Sequence, residues 1–189
     1  MIVILDTHEV GRPESPRTAV PFILETPRLT LRELTSSDLD NLMRILSDPE
    51  AMRYWPAVMS REEGMAWIQR QQARYVSDGC GYWACELKGM EEFVGQAGLI
   101  VQDVDGEKEL GLGYMFIPAY WGQGFATEAS LGCLEHGFKN YPVDHIVALI
   151  RPENEPSIRV AQRLNMTLWK TTVYKEFVHG VWRTERPNP

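Results

Sequence analysis

The chain has 189 residues, 44% of them hydrophobic, which suits one compact domain with a full core. A net charge of −7 with no basic stripe excludes a general nucleic-acid binder and favours a cationic partner such as an amine. Cys80, Cys85 and Cys133 are odd in number and form no CxxC, which argues against a disulfide frame or a metal site and for a reduced cytoplasmic setting.

The opening Met1-Ile2-Val3-Ile4-Leu5 is apolar but too short for a signal or membrane segment. No other run approaches spanning length, so no membrane partner is expected. Residues 6–21, with Gly11, Pro13, Pro16 and Pro21 among charges, extend this start into a flexible leader over 1–21, leaving one domain over 22–186. Regular structure is expected from Arg28, where Leu29 and Leu31 alternate with polar residues as in a half-buried strand. Thr35 and Asp38 form a capping box, after which Leu39, Leu42, Met43 and Leu46 recur at helical spacing as far as Asp48-Pro49. A second capping box, Ser60 with Glu63, opens a helix that reaches Val76.

A β-meander follows over Tyr82–Leu87, Phe93–Val101 and Glu109–Ile117, with turns at Gly89 and Asp105-Gly106. The helix after Phe125 carries Leu131, Leu134 and Phe138 on one face and stops before Pro142. His145–Ile150 is a short apolar strand. Pro156 starts a helix with Ile158, Ala161 and Leu164 inward, and Asn165 suits its left-handed end. Strands over about Trp169–Phe177 and Val181–Glu185, turning at His179-Gly180, complete the order β-α-α-β-β-β-α-β-α-β-β.

The stretch Glu109–Ala129 is the most informative. A strand runs to Pro118, a glycine loop follows through Trp121, Gly122, Gln123, Gly124, Phe125 and Ala126, and a helix opens. Exposed amides at such a turn, backed by the positive end of a helix dipole, make an anion site that glycine lets a phosphate approach closely. A dinucleotide-binding reading fails because Thr127 stands where a third Gly or Ala is required, and a Walker A reading fails because no Gly-Lys-Ser/Thr follows.

Three passages resemble the GNAT acetyltransferase superfamily, in particular its ribosomal-protein-alanine N-acetyltransferase (RimJ/RimL-like) branch. They are Leu24–Arg32, Gly113-Tyr114 with Trp121–Ala129, and Asn154-Glu155-Pro156-Ser157 with Leu164-Asn165-Met166. The resemblance runs over roughly Leu24–Glu185. It implies an α/β (α+β) GNAT-like domain with a mixed, mostly antiparallel sheet of about seven strands and about four helices.

It further implies an acetyl-CoA-dependent N-acetyltransferase that uses direct transfer and no metal, as a monomer or homodimer. Phe116, Ile117, Trp121, Gly122, Gln123, Gly124, Phe125, Ala126, Asn154 and Ser157 are then the cofactor-binding residues, with amides near Phe116 and Ile117 holding a developing oxyanion. The superfamily's phosphate loop commonly has a basic residue where this chain has Trp121 and Gln123. Its frequent Tyr acid, seven residues after the Asn, is replaced here by Ala161. The branch resemblance offers Ser157 for the departing thiolate and Glu176, 19 residues beyond, as base for the amine.

Tyr54 and Trp55 are candidates for the acceptor pocket, with Trp67, Trp83 and Tyr82 more readily core. Acceptor specificity is expected in Arg53–Ser60 and in the Phe177–Val181 turn. The favoured acceptor is a protein N-terminal α-amine. Alternatives are a small-molecule amine, or no catalysis at all in a CoA-binding interaction module.

Overall fold

The computed structural model describes residues 22–187, so the leader expected over 1–21 lies outside the described residues. In chain order its elements are β1 (Phe22–Glu25), β2 (Leu29–Glu33), α1 (Leu39–Leu46), α2 (Arg61–Ser77), β3 (Tyr82–Leu87), β4 (Glu92–Val104), β5 (Glu107–Phe116), α3 (Phe125–Asn140), β6 (His145–Ile150), α4 (Glu155–Arg163), β7 (Thr167–Tyr174) and β8 (Phe177–Glu185). Both capping boxes form: the Asp38 carboxylate accepts from the Thr35 amide at 2.7 Å, and Glu63 and Ser60 cap each other at 2.7 and 3.2 Å.

Eight strands make one sheet in the order β1-β2-β3-β4-β5-β6-β8-β7. All neighbours are antiparallel except β5 and β6. The sequence reading missed β1, a four-residue edge strand whose Phe22 is largely exposed, because so short a segment shows no alternation before Thr26-Pro27.

The final hairpin also differs. Its turn is Lys175-Glu176, both in the left-handed region (φ 47° and 70°), not His179-Gly180. Two consecutive left-handed residues give the tight turn that matches strand twist. Gly180 instead lies inside β8, where a Cβ would meet Leu168 Cδ1 at 2.9 Å and Trp182 Nε1 at 3.1 Å. That glycine serves close packing rather than a turn.

Two apolar layers sandwich the sheet. On one face Leu110, Leu112 and Phe116 of β5 pack with Ala129, Cys133 and Leu134 of α3 and with Val160, Ala161 and Leu164. On the other, Met115 and Ile117 pack with Leu42, Ile45, Trp67 and Ile68 of α1 and α2. This period-two division of β5 follows from strand pleating. The buried stripe of α3 runs through Phe125, Ala129, Cys133 and Gly137, with Leu134 beside it. Leu131, expected on the core face with Leu134 and Phe138, is instead exposed, because α3 seats itself through its small residues.

Candidate active site

β5 and β6 are parallel and pair at Gly111–Val147 alone. Beyond that point β5 runs on to Phe116 with no ladder on its β6 edge. Ile117 donates its amide to the Val94 carbonyl at 3.0 Å, toward β4. Strand alternation therefore turns the amides of Tyr114 and Phe116 the other way, into the gap. Of the two oxyanion donors expected from sequence, only Phe116 has its N–H available there. Its carbonyl accepts from Trp121 Nε1 at 2.8 Å, which ties the glycine loop to the end of β5.

That loop continues the site. Gly122 (φ 76°) and Gly124 (φ 83°) both adopt left-handed backbone, which is strained for other residues. No backbone amide from Gly122 to Ala126 has an acceptor among the described residues. Five consecutive free donors at a helix start are an anion cradle.

The loop is held from behind by a segment almost a hundred residues earlier in the chain. Thr26 Oγ1 and the Arg28 amide both donate to Glu128 Oε1 at 2.7 Å, and Arg28 Nε donates to Glu128 Oε2 at 2.6 Å. Arg28 Nη1 also donates to the Gln123 carbonyl at 3.0 Å, and the guanidinium lies 4.4 Å above the Phe125 ring. Burial works against the Glu128 charge, but the Thr26 and Arg28 hydrogen bonds hold its carboxyl below the usual range. The loop thus lacks a basic side chain of its own but has Arg28 bound to its backbone. Nothing local in the sequence points to this pairing. Arg28→Met is expected to weaken acetyl-CoA binding about tenfold, the effect of losing one charge-assisted set of bonds. A calorimetric titration checks it, with kcat at saturating acetyl-CoA little changed.

A cavity of about 1080 Å³ runs along these elements, at the upper end of small-molecule sites. Of the sequence-predicted residues, Tyr54, Trp55, Phe116, Trp121, Gly122, Gly124, Phe125, Ala126, Asn154 and Ser157 line it. Ile117, Gln123 and Glu176 do not. Asn154 caps α4, its Oδ1 accepting from the Ser157 amide at 3.2 Å, so it also fixes where Ser157 sits. Thr26, Leu131 and Tyr114 line the cavity as well and were not singled out from sequence.

Tyr54 and Trp55 come from the loop between α1 and α2. Trp55 packs edge-on against Trp67 at 5.6 Å, and Trp67 is core, its Nε1 donating to buried Gln96 at 3.1 Å. The β7–β8 turn faces the same loop: Lys175 Nζ lies 5.9 Å from the Trp55 ring, and Phe177 stacks under Arg151, whose Nη1 reaches the Tyr54 carbonyl at 3.4 Å. Glu176 sits between these two anchors and is exposed, outside the cavity lining.

A splayed parallel strand pair, a donor-lined glycine loop and a cavity passing both make a site with room for a long anionic ligand. The family model of the acetyltransferase (GNAT) domain matches residues 28–167, and the chain belongs to that family. It is an acyltransferase of the N-acetyltransferase type, built on a fold that uses acetyl-CoA.

Among relatives, it is 34% identical to the uncharacterized protein YkkB of Bacillus subtilis, over 78% of this chain and 87% of that one. It is 29% identical to the uncharacterized N-acetyltransferase YnaD of the same organism, over 76% and 81%. Its fold is similar to that of RimL, a ribosomal α-N-protein acetyltransferase solved with coenzyme A (TM-score 0.73, 18% identity, 87% of this chain and 98% of that one). An aminoglycoside acetyltransferase solved with coenzyme A is also similar (TM-score 0.71, 19% identity, 84% and 95%). Among the described residues no helix is long and apolar enough to cross a membrane.

Proposed function

We propose that this protein transfers an acetyl group from acetyl-CoA directly to a primary amine, with a protein N-terminal α-amine as the favoured acceptor. The observation that carries the reading is the run of unpartnered amides at Gly122–Ala126, opening on one cavity with the β5–β6 gap and with Tyr54 and Trp55. Acetyl-CoA supplies an activated thioester, and the residues present fit it. The loop amides take the pyrophosphate, and the β5–β6 gap admits an extended chain alongside the sheet edge. The Phe116 amide is available to a negative oxygen in the gap. Ser157 offers a hydroxyl to the sulfur, and Glu176, in the β7–β8 turn, takes the amine proton through water.

The acceptor end is charge-balanced: Arg53, Arg151 and Lys175 border Tyr54 and Trp55 together with Glu50, Glu153 and Glu176, so the N-terminal α-amine is favoured by the branch resemblance and not by local charge.

A free-thiol assay over N-terminal peptides and small amines, alongside thermal-shift titration with acetyl-CoA, tests this. Thiol release on peptides is expected. Release on small amines alone would overturn the acceptor assignment, and stabilisation without any release would favour a binding module. Ser157→Ala and Glu176→Gln are expected to lower kcat by about 10- to 100-fold, as loss of a proton-handling group does. Acetyl-CoA affinity should stay within a factor of about two for both. Unchanged turnover in both variants would remove them from the chemistry.

A further inference from the structure

Tyr114 has no role in the reading above, yet it is the residue of the cavity wall with the least settled chemistry. Its ring is part-exposed and lines the cavity, while its hydroxyl oxygen is sealed from solvent with no hydrogen-bond partner among the described residues. An unpaired buried hydroxyl costs about 1–3 kcal/mol, so a position that keeps one needs a reason. Ser157 lines the same cavity, and its hydroxyl is the one polar side-chain group among the described residues that acts on the phenol by hydrogen bonding. Burial pushes the Tyr114 phenol up to about 12, with the Ser157 hydroxyl opposing that rise. The phenol is therefore a proton donor throughout the neutral range and never a base.

The backbone explains why these two groups meet. Tyr114 is an even-numbered residue of β5, on the same face as Leu110, Leu112 and Phe116, and packs against the apolar cluster that holds them together with Val160 and Ala161 of α4. Ser157 stands in the first turn of α4, fixed by the Asn154 cap. The phenol and the serine thus line one cavity, one from a strand and one from a helix.

We infer that Tyr114 is a positioning residue for Ser157: its phenol donates to Ser157 Oγ when the site is loaded, leaving the serine's own hydrogen to point at the sulfur. A serine hydroxyl carries one hydrogen and rotates freely. With its oxygen engaged by Tyr114, that hydrogen turns toward the cavity, and the two-bond chain polarises it as a donor. No proton leaves Tyr114. The serine's hydrogen stabilises the thiolate formed as the C–S bond breaks; the amine's proton goes to Glu176 through water, and the departing thiolate takes one up from solvent. Hydrogen bonds of this kind are often long in an unliganded site and tighten when it fills. The inference rests on the acetyl-transfer reading.

Tyr114→Phe tests it on the full chain, because the hydroxyl has no partner whose loss would harm the fold. The expected results are an unchanged or raised Tm and a kcat about tenfold lower with an unchanged KM for acetyl-CoA. The Ser157→Ala background should show no further loss. Bound CoA, followed by its ultraviolet thiolate band, should ionise at a higher pH in the variant than in the wild type. Desulfo-CoA should bind both proteins equally.

A lowered Tm in Tyr114→Phe would show the hydroxyl is bonded within the fold and would overturn the assignment. Equal thiolate titration in the two proteins, or additive losses with Ser157→Ala, would overturn it too. If the wild type itself fails to bind CoA, the acetyl-transfer reading fails and takes this one with it.

Discussion

Gly124→Val is expected to abolish useful acetyl-CoA binding while leaving the apo protein folded. Gly124 sits at the N-cap of α3 with φ 83°, a conformation that a β-branched residue adopts only under strain of about 1–2 kcal/mol. A Cβ there would stand 3.4 Å from Arg28 Nη2 on one side, and the two methyls beyond it would project over the loop amides. The backbone would relieve that strain by rotating away from left-handed geometry, which turns the free N–H groups at Gly124 and Phe125 off the cavity. Losing two aligned donors and the room for a phosphate should weaken binding by about 3 kcal/mol, on the order of 100-fold in Kd. The measurement is a thermal-shift titration. The expected outcome is a wild-type-like apo transition that acetyl-CoA no longer raises. An undiminished shift would mean that the loop is not the phosphate site.

The second large effect concerns stability. Arg32→Met is expected to destabilise the fold by about 3–5 kcal/mol, the cost of stripping one partner from a buried ion-pair network. Arg32 holds Asp38 bidentately at 2.7 and 2.8 Å and Glu86 at 3.0 Å through Nε. The Asp38 side chain is only 4% exposed, and it also caps the Thr35 amide. Removing the guanidinium leaves two carboxylates facing each other in a poorly solvated place. For a chain of this length the loss corresponds to roughly 10 °C in Tm. Arg32→Lys should recover little, because an ammonium cannot serve the bidentate geometry.

The pH dependence has a definite sign. Burial alone would raise the Asp38 carboxyl, but hydrogen bonds from Arg32 and Thr35 hold it below its ordinary 3.8. In the wild type this contribution is fully present above that ordinary value and is lost as pH falls through the lower folded value. In Arg32→Met burial is no longer offset by the guanidinium, so Asp38 protonates more readily, and the stability gap between the two proteins should narrow below about pH 4. Urea unfolding across pH checks this. A gap independent of pH would place the loss in packing rather than in charge.

Much of this protein is legible in its sequence, and the legible parts share one physical character. The capping boxes at Thr35–Asp38 and Ser60–Glu63, the glycine loop at 122–124, the helix start at Pro156 and the alternation of β3 to β5 all express constraints within a few residues of backbone. Local sterics and local hydrogen bonding set them, so residue type and spacing suffice to find them. The glycine loop is readable for the same reason, whereas the Asn154–Ser157 segment is picked out by its family resemblance.

What only the tertiary structure decides is where separate segments meet. Lys175 and Glu176 carry no turn signature, and the hairpin turns there because the β8 register against β6 and β7 leaves no other place. The Arg28–Glu128 clamp joins residues 100 positions apart, and β5 and β6 diverge after a single pairing. Tyr114 and Ser157 line one cavity only because a strand and a helix are packed onto one face of the sheet. Contacts of this kind are selected by the collective burial of two apolar layers, a quantity spread over the whole chain and present in no short window of it.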